Sequence, residues 1–349
     1  MATGAPGVAV DVGTARASVV SCFTLRGVSH ADAVVVADQL LETERAGVRT
    51  HGLIRVQEYC DQIDSGSIDP AAVCTIDPSR FAGVVGVDGA NALGPVVARF
   101  ALEHAMQAAD RAGLAVAVAR GANHLGALGV IARAAAEAGY VCMLTQSTFP
   151  TVAPWGGAEP VLGNNPFAWA LPGGHQRGPI VLDIACSAVS RGRLKAAAAA
   201  GDPIPAAWAL DASGRPTTDP VAALAGILLP FGEHKGSGLS VVLGALSGVL
   251  AGAAFGAGVP RPTPGAARDV GFWLLLVKVD ALLPVVDYRR RIDEYADQIA
   301  GSAASATAAQ GVRLPGERMT ADLVAHRSTV QVTSTTWDMV TRYSQREES

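Results

Sequence analysis

The sequence predicts an α/β fold in which a strand-rich middle is capped by helices drawn from both chain ends. Three observations carry that reading. Strand-like apolar runs concentrate between Val84 and Leu283, helical patterns dominate before and after them, and no Gly-x-Gly-x-x-Gly turn joins a strand to a helix. At about 150 residues per domain, 349 residues make roughly two domains. Residues 22–82 and 286–349 are expected to form one discontinuous helical unit, with an α/β unit at 83–285.

The elements follow in chain order. Ser29 is a candidate N-cap with Asp32 three residues on, and apolar residues recur at helical spacing through Leu41. After the Arg49-Thr50-His51-Gly52 turn, Leu53, Val56, Tyr59 and Ile63 mark one face of a second helix that Gly66 stops. Strands are expected near Val84 and at Leu114–Arg120, separated by a helix at Pro95–Ala112. A helix at Val130–Ala138 leads to the strand YVCMLTQS, and VLGNNPFAWALP and PIVLDIACS read as two more. A helix through Leu239–Leu250 precedes the strand VGFWLLLVKVDALL, and the charged helix YRRRIDEYADQIAG leads into the tail. The Ser/Ala/Thr stretch 301–310 reads as a linker.

Composition excludes several classes. Half of the residues are hydrophobic, 5% are aromatic and 39 are Gly, so the core is built from small aliphatic side chains rather than rings. Lys plus Arg at 27 against Asp plus Glu at 31 gives −4 with no basic run, which argues against nucleic acid as a partner. Cys22, Cys60, Cys74, Cys142 and Cys186 are odd in number and contain no CxxC pair. Neither a disulfide framework nor a metal site is expected from them, and a reducing cytoplasm suits them. The N-terminus has no basic region preceding an apolar run and does not read as a signal peptide. The uncharged run Leu239–Val259 is long enough to cross a bilayer. Its Ala, Gly and Ser content and missing aromatic belt favour a helix buried within the protein, with Gly244, Gly248 and Gly252 on a close-packed ridge.

Phosphate-loop, GxSxG and HExxH motifs are all missing. The positive signals are three. His51 lies at a helix start with Arg55 four residues on, so both side chains are expected on one helix face, a titratable group beside a forked cation, which suits a substrate with a carboxylate and a reactive carbonyl. His124 lies in Asn123-His124-Leu125-Gly126 between a strand end and a helix. Lys235 stands among Gly232, Gly236 and Gly238 at a helix start, where a phosphate could be met. Taken singly, each also fits a surface or structural residue.

Together the motifs resemble those of the malate/L-lactate dehydrogenase superfamily of non-Rossmann NAD(P)H enzymes, which includes sulfolactate and ureidoglycolate dehydrogenases and cyclic ketimine reductases. The resemblance rests on RTHGLIRVQEY, NHLGALG, VAPWGGAEPVLGNNP, VLDIACSAVSRGR, AAWALDASGRPTTDP, LLPFGEHKGSGL and RLPGE, in order over Ala31–Glu317. It implies a mixed-sheet cofactor domain with a helical domain, assembled as a homodimer. It further implies that His51 is the proton donor, that Thr50 orients it, and that Arg55 holds the substrate carboxylate. His124 becomes a second acid/base and cofactor-side residue, and Asn164 a substrate contact. Leu125, Gly126, Thr148, Asp183, Ile184, Ala185, Lys235, Gly236, Pro315, Gly316 and Glu317 match cofactor-contacting positions, with NAD(P)H as cofactor. The implied reaction moves a hydride between nicotinamide and C2 of a small 2-oxo or 2-hydroxy acid. Reduction of a cyclic imine is the alternative, and Arg193, where ketimine reductases tend to be acidic, favours the acid. The chain departs from the family pattern at Asn164, Cys186 and Glu233, which keeps open a catalytically retired binding subunit. The first twenty residues have no counterpart in the pattern.

Overall fold

The structure, a computed structural model, describes residues 7–303 and 311–345. Most of the expected linker at 301–310 therefore lies outside the described residues. In chain order the elements are β1 (Gly7–Asp11), α1 (Val12–Thr24), α2 (His30–Arg45), α3 (Arg55–Asp64), β2 (Thr75–Asp77) and β3 (Val84–Asp88). Next come α4 (Gly94–Ala112), β4 (Leu114–Ala122), α5 (Leu128–Glu137), β5 (Tyr140–Gln146), β6 (Phe167–Leu171) and β7 (Ile180–Ile184). Then follow α6 (Arg191–Ala200), β8 (Ala209–Leu210), α7 (Pro220–Ala225), β9 (Ile227–Leu228), α8 (His234–Gly244) and β10 (Val270–Lys278). The chain closes with α9 (Val285–Ala300), α10 (Glu317–Ala325), β11 (Thr329–Thr333) and α11 (Ser334–Tyr343).

The central sheet has seven strands in the order β2-β3-β4-β10-β5-β6-β7. It is mixed: β3 and β4 run parallel, whereas β10 is antiparallel to both β4 and β5. Strand residues facing α4 and α5 are small, with Ala115, Ala117, Ala119, Ala168 and Ala170 buried in one core with Ala98, Ala101, Ala105 and Ala132. Alanine on both sides lets helix and sheet approach closely, which is how the chain fills a large core with few rings. The opposite face packs Met143, Phe167, Trp273 and Leu275 against Leu239 and Leu243 of α8.

The register puts one set of strand ends together. Asp88 pairs with Arg120, Val270 with Ala122, Phe272 with Gln146 and Phe167 with Ile184. The carboxyl ends of β3, β4, β5 and β7 and the starts of β6 and β10 therefore share one edge of the sheet, the place where α/β proteins bind ligands.

A second core is helical. Ser29 caps α2 by accepting from the Asp32 amide at 3.1 Å. Phe23 of α1, Leu40 of α2, Tyr59 and Ile63 of α3, and Met339 and Val340 of α11 pack together with Val330 and Val332. The chain ends are joined by β1 and β11, which pair antiparallel. The initial residues left unread in the sequence thus form β1 and α1, and α1 takes the helical layer back to Val12. By contrast α9 holds to the sheet side, and α10 bridges the two layers, Arg45 of α2 donating to the His326 carbonyl at its end at 2.6 Å. Asp293 accepts from the amides of His175 and Gln176, and Thr320 accepts from Arg133 of α5.

The expectation of one buried helix over Leu239–Val259 is corrected. Regular α-helix ends at Gly244, and Ala245–Val249 winds more widely as a π-helical turn. Val241, Val242, Val249, Leu250 and Phe255 all stand more than half exposed. Apolar composition signals a face that seeks cover, but not whether this chain supplies the cover. Gly244 packs on Asn165 and Gly248 on Phe255, as a ridge would, but Gly252 lies in a turn at φ +68°.

Candidate active site

His51 ends a short 3-10 turn, Arg49–His51, and α3 starts only at Arg55, so the two side chains do not share a helix face. They meet because Arg55 folds back: its Nε donates to the Thr50 carbonyl at 2.8 Å. Its Nη1 is paired with Glu58, a residue that motif reading passed over. The turn rests on α2, where the buried Glu44 accepts from the Leu53 amide at 2.9 Å, and any Cβ at Gly52 would collide with that carboxyl. Close approach, rather than an unusual φ, makes this glycine necessary.

His124 comes from the segment after β4. Its Nδ1 lies 2.8 Å from the hydroxyl of Tyr59, which is fully buried in the helical core. The next residues are fixed as well: the Leu125 amide donates to the Gln146 side chain at 3.1 Å, and Gln39 donates to the Leu125 carbonyl. The His51 and His124 rings are 5.4 Å apart between centroids. Thr50 Oγ1 lies 2.9 Å from His51 Nδ1. Each imidazole therefore has Nδ1 engaged by a hydroxyl and Nε2 left for other work.

Electrostatics differ between the groups. Burial first, and Arg55 second, push His51 down to about 4, although part of its ring still meets solvent. His124 is held well below the usual imidazole range by burial, then by Arg55, His51 and Arg268. Burial raises the Tyr59 phenol far above its ordinary range. A phenol that keeps its proton donates it, so we assign His124 Nδ1 as acceptor and its Nε2 as the protonated nitrogen.

The remaining expected residues line the adjoining strand ends. Thr148 donates to Asn164 Oδ1 at 2.8 Å, which orients the amide, and the Asn164 carbonyl accepts from the Cys186 amide at 2.7 Å. The departure from the family pattern at Asn164 thus supplies a half-buried amide whose oxygen is held by Thr148. Asp183 accepts from the Gly129 amide at the start of α5 at 2.7 Å, and burial raises its carboxyl to about 6. The Phe231 amide donates to the Cys186 carbonyl at 2.9 Å, setting the Gly232–Gly236 turn beside Asp183–Cys186. Lys235 is exposed there and takes part in none of the ion pairs among the described residues. Glu233 occupies φ +58°, ψ −121°, which explains why glycine is the usual residue there. Pro315, Gly316 and Glu317 lie farther along the edge strand, where the Pro315 carbonyl accepts from the Val181 amide, and Glu317 faces Arg177. Arg193 is not in the cluster; its guanidinium stacks 4.8 Å from the Trp208 ring centroid.

The family model described as malate/L-lactate dehydrogenase matches residues 10–341. The chain belongs to this family. A (2R)-3-sulfolactate dehydrogenase (NADP(+)) from Chromohalobacter salexigens is 35% identical over 314 residues, 88% of this chain and 90% of that protein. A Delta(1)-pyrroline-2-carboxylate reductase from Burkholderia multivorans is 37% identical over 232 residues, 66% and 67% of the two chains. Among solved structures, sulfolactate dehydrogenase from Methanocaldococcus jannaschii superposes with a TM-score of 0.89 at 27% identity, covering 96% of each chain. The mixed sheet, the helical layer and the absence of a dinucleotide fingerprint are therefore properties of a malate/L-lactate dehydrogenase fold, not a damaged Rossmann fold.

Proposed function

We propose that the protein is an NAD(P)H-dependent oxidoreductase interconverting a small 2-oxo acid and its 2-hydroxy acid. The observation that carries this is the pair of half-shielded imidazoles 5.4 Å apart, each with Nδ1 tied to a hydroxyl and with Arg55 alongside.

The residues present fit a nicotinamide dinucleotide. Lys235 is exposed in the first turn of α8, and a Cβ at Gly238, nearly one turn on, would meet nothing, so the helix start is open to a diphosphate. Thr148, the oriented Asn164 amide and the Asp183–Ala185 segment at the end of β7 rim the strand ends, which suits a planar carboxamide. When bound, this group supplies the hydride.

The two histidines take different parts. Tyr59 keeps His124 Nε2–H as a fixed donor, able to polarise a carbonyl oxygen without surrendering its proton. Thr50 can instead accept from Nδ1–H of His51, so His51 can carry a second proton on Nε2 and deliver it to the substrate oxygen. With its value near 4, His51 is neutral before substrate arrives and must be loaded. A substrate carboxylate at Arg55 offsets the cation that opposes protonation, so anion binding and proton uptake are coupled. In the oxidative direction the neutral His51 is ready as the base. Arg55 keeps its Nη2 edge for that carboxylate, since Nε and Nη1 are engaged.

Reduction of a cyclic imine by the same proton and hydride transfers is the second reading, favoured by the likeness to the pyrroline-carboxylate reductase. The test is nicotinamide absorbance loss with purified protein, NADH or NADPH, and a panel of 2-oxo acids and cyclic imines. Turnover of 2-oxo acids is expected. Turnover of imines alone would move the assignment to the second reading, and no turnover with any would refute both.

The exposed apolar side chains at Val241, Val242, Val249, Leu250 and Phe255 support assembly as a homodimer. Light scattering of a Val242→Asp, Leu250→Asp variant should report a monomer, and an unchanged dimer would place the interface elsewhere. The unpaired cysteines support a cytoplasmic location, and cell fractionation that recovered the native protein outside the cytoplasm would contradict it.

A further inference from the structure

A cavity of about 440 Å³ lies between α3 and the loop that precedes β10, and none of His51, Arg55, His124 or Thr148 lines it. Its volume falls within the range of small-molecule sites, about 300–1,000 Å³. One wall is a face of α3, where Ile54, Glu58, Asp61, Gln62 and Ser65 follow at helical spacing. Pro262, Pro264 and Ala266 form the facing wall. That loop is pinned at both ends. The buried Ser67 donates to the Thr263 carbonyl at 3.1 Å and accepts from the Gly265 amide at 2.9 Å. Asp269, at the far end, accepts from the Gly121 amide at 2.8 Å and the Ala254 amide at 2.9 Å.

Two buried polar groups of the cavity are left without partners. Arg268 is 5% exposed, its Nε has no hydrogen-bond partner, and its guanidinium enters none of the ion pairs among the described residues. Gln62 is 9% exposed, and its Oε1 likewise has no partner. The Gln62 Nε2 donates to Glu58 Oε1 at 3.4 Å, which sets the orientation of the amide. A stranded donor and a stranded acceptor in one cavity call for a ligand that brings an acceptor and a donor. Charge narrows its class. Arg268 faces Glu58 and Asp61 across the cavity lining, and Arg55 pairs with Glu58 from outside it, so the four charges cancel. A ligand carrying one charge of each sign preserves that balance, whereas a lone anion or cation breaks it. Ile54 and the two prolines offer cover to an aliphatic body.

We propose that this cavity is an effector site for a small α-amino acid with an apolar side chain, its carboxylate on Arg268 and its ammonium on Gln62 Oε1 and Glu58. Glu58 couples the cavity to the catalytic cluster. Its Oε2 holds Arg55 and its Oε1 meets Gln62. An ammonium that draws on Glu58 competes with Arg55 for the carboxylate, which leaves the Arg55 guanidinium freer for a substrate anion. The amino acid therefore lowers KM, and bound substrate tightens the amino acid in return. This coupling rests on the oxidoreductase reading, in which Arg55 holds the substrate carboxylate.

The test begins with calorimetric titration of the purified protein with L-leucine, 4-methylpentanoate and 3-methylbutylamine, the last two keeping one charge each. L-leucine should bind at least about tenfold more tightly than either analogue, as expected when a charge-assisted contact is lost. Saturating L-leucine should lower KM for the best 2-oxo acid by about fivefold or more. Arg268→Met should weaken L-leucine by about ten- to a hundredfold. Ala266→Trp, which fills the cavity from a half-buried loop position, should abolish both binding and the KM effect, and it stands in should the Met variant fail to fold. Failure of L-leucine to bind overturns the proposal, as does equal binding of either analogue. An unchanged KM overturns the effector role, and competition between L-leucine and the 2-oxo acid would place the amino acid in the substrate site instead. Absence of turnover with every 2-oxo acid and imine would overturn the oxidoreductase reading, while calorimetry would still decide whether the cavity takes an amino acid.

Discussion

Replacing Tyr59 with Phe removes one oxygen and leaves the ring that packs in the helical core. What is lost is the 2.8 Å contact with His124 Nδ1. Because the phenol is held protonated, it is the donor, and its removal strands a buried acceptor. Loss of such a contact amounts to about 1–3 kcal/mol. The structural share should appear as lower stability in denaturant. The catalytic share arises because His124 is then free to exchange tautomers or turn, and its Nε2–H no longer points reliably at the substrate oxygen. At about 1.4 kcal/mol per factor of ten, kcat should fall roughly five- to a hundredfold. Steady-state oxidation of the reduced nicotinamide with the best 2-oxo acid measures the rate, and nitrogen NMR of the imidazoles reads the tautomer directly. A Tyr59→Phe enzyme with kcat within about twofold of wild type, and with His124 still protonated on Nε2, would refute the assignment of Tyr59 as a positioning residue.

Two further predictions concern stability. Glu233→Gly should stabilise the protein, because φ +58° with ψ −121° strains a side-chain-bearing residue by about 1–3 kcal/mol. Glycine's extra chain entropy returns about 0.4–1 kcal/mol of this, so a rise in Tm of about 2 °C is expected, and a lower Tm would contradict it. Asp183 should impose a pH dependence of known sign. Its folded value is raised from 3.8 to about 6, so its contribution is present below pH 3.8 and lost as pH rises through 6. Asp183→Asn should therefore gain stability over wild type at pH values above that window, by at most about 3 kcal/mol, but not at its acid end. His51 works in the opposite sense, since its value is lowered from 6.5 to about 4 and stability falls as pH drops through that range. Denaturant titrations of wild type and Asp183→Asn at both ends of the window separate the two. An equal difference at each end would disprove the raised carboxyl.

Much of the fold was legible because its elements declare themselves locally. Ser29 with Asp32, the 3.6-residue spacing of α3 and the apolar runs of β5 and β10 each carry a signal within a dozen residues. The ribbon of β1 and β11 is less legible. Gly7–Asp11 buries a single residue, Val10, and shows no period, and although Val330 and Val332 alternate with polar residues in β11, its partner lies near the opposite chain end. The exposed face near Val242 was misread for another reason: apolar residues report a need for burial without naming the partner. Within the site, His51, Arg55 and His124 were visible as polar residues at turns and strand ends. Glu58 and Tyr59 were hidden inside an ordinary amphipathic helix, where one reads as solvent face and the other as core.

The central claim is that His51 passes a proton to a 2-oxo acid as hydride arrives. It is tested most directly by the turnover of His51→Gln, with nicotinamide binding measured in the same preparation. The account predicts a loss of about 10²–10⁴-fold in kcat while cofactor affinity is retained. Undiminished turnover by His51→Gln would contradict it.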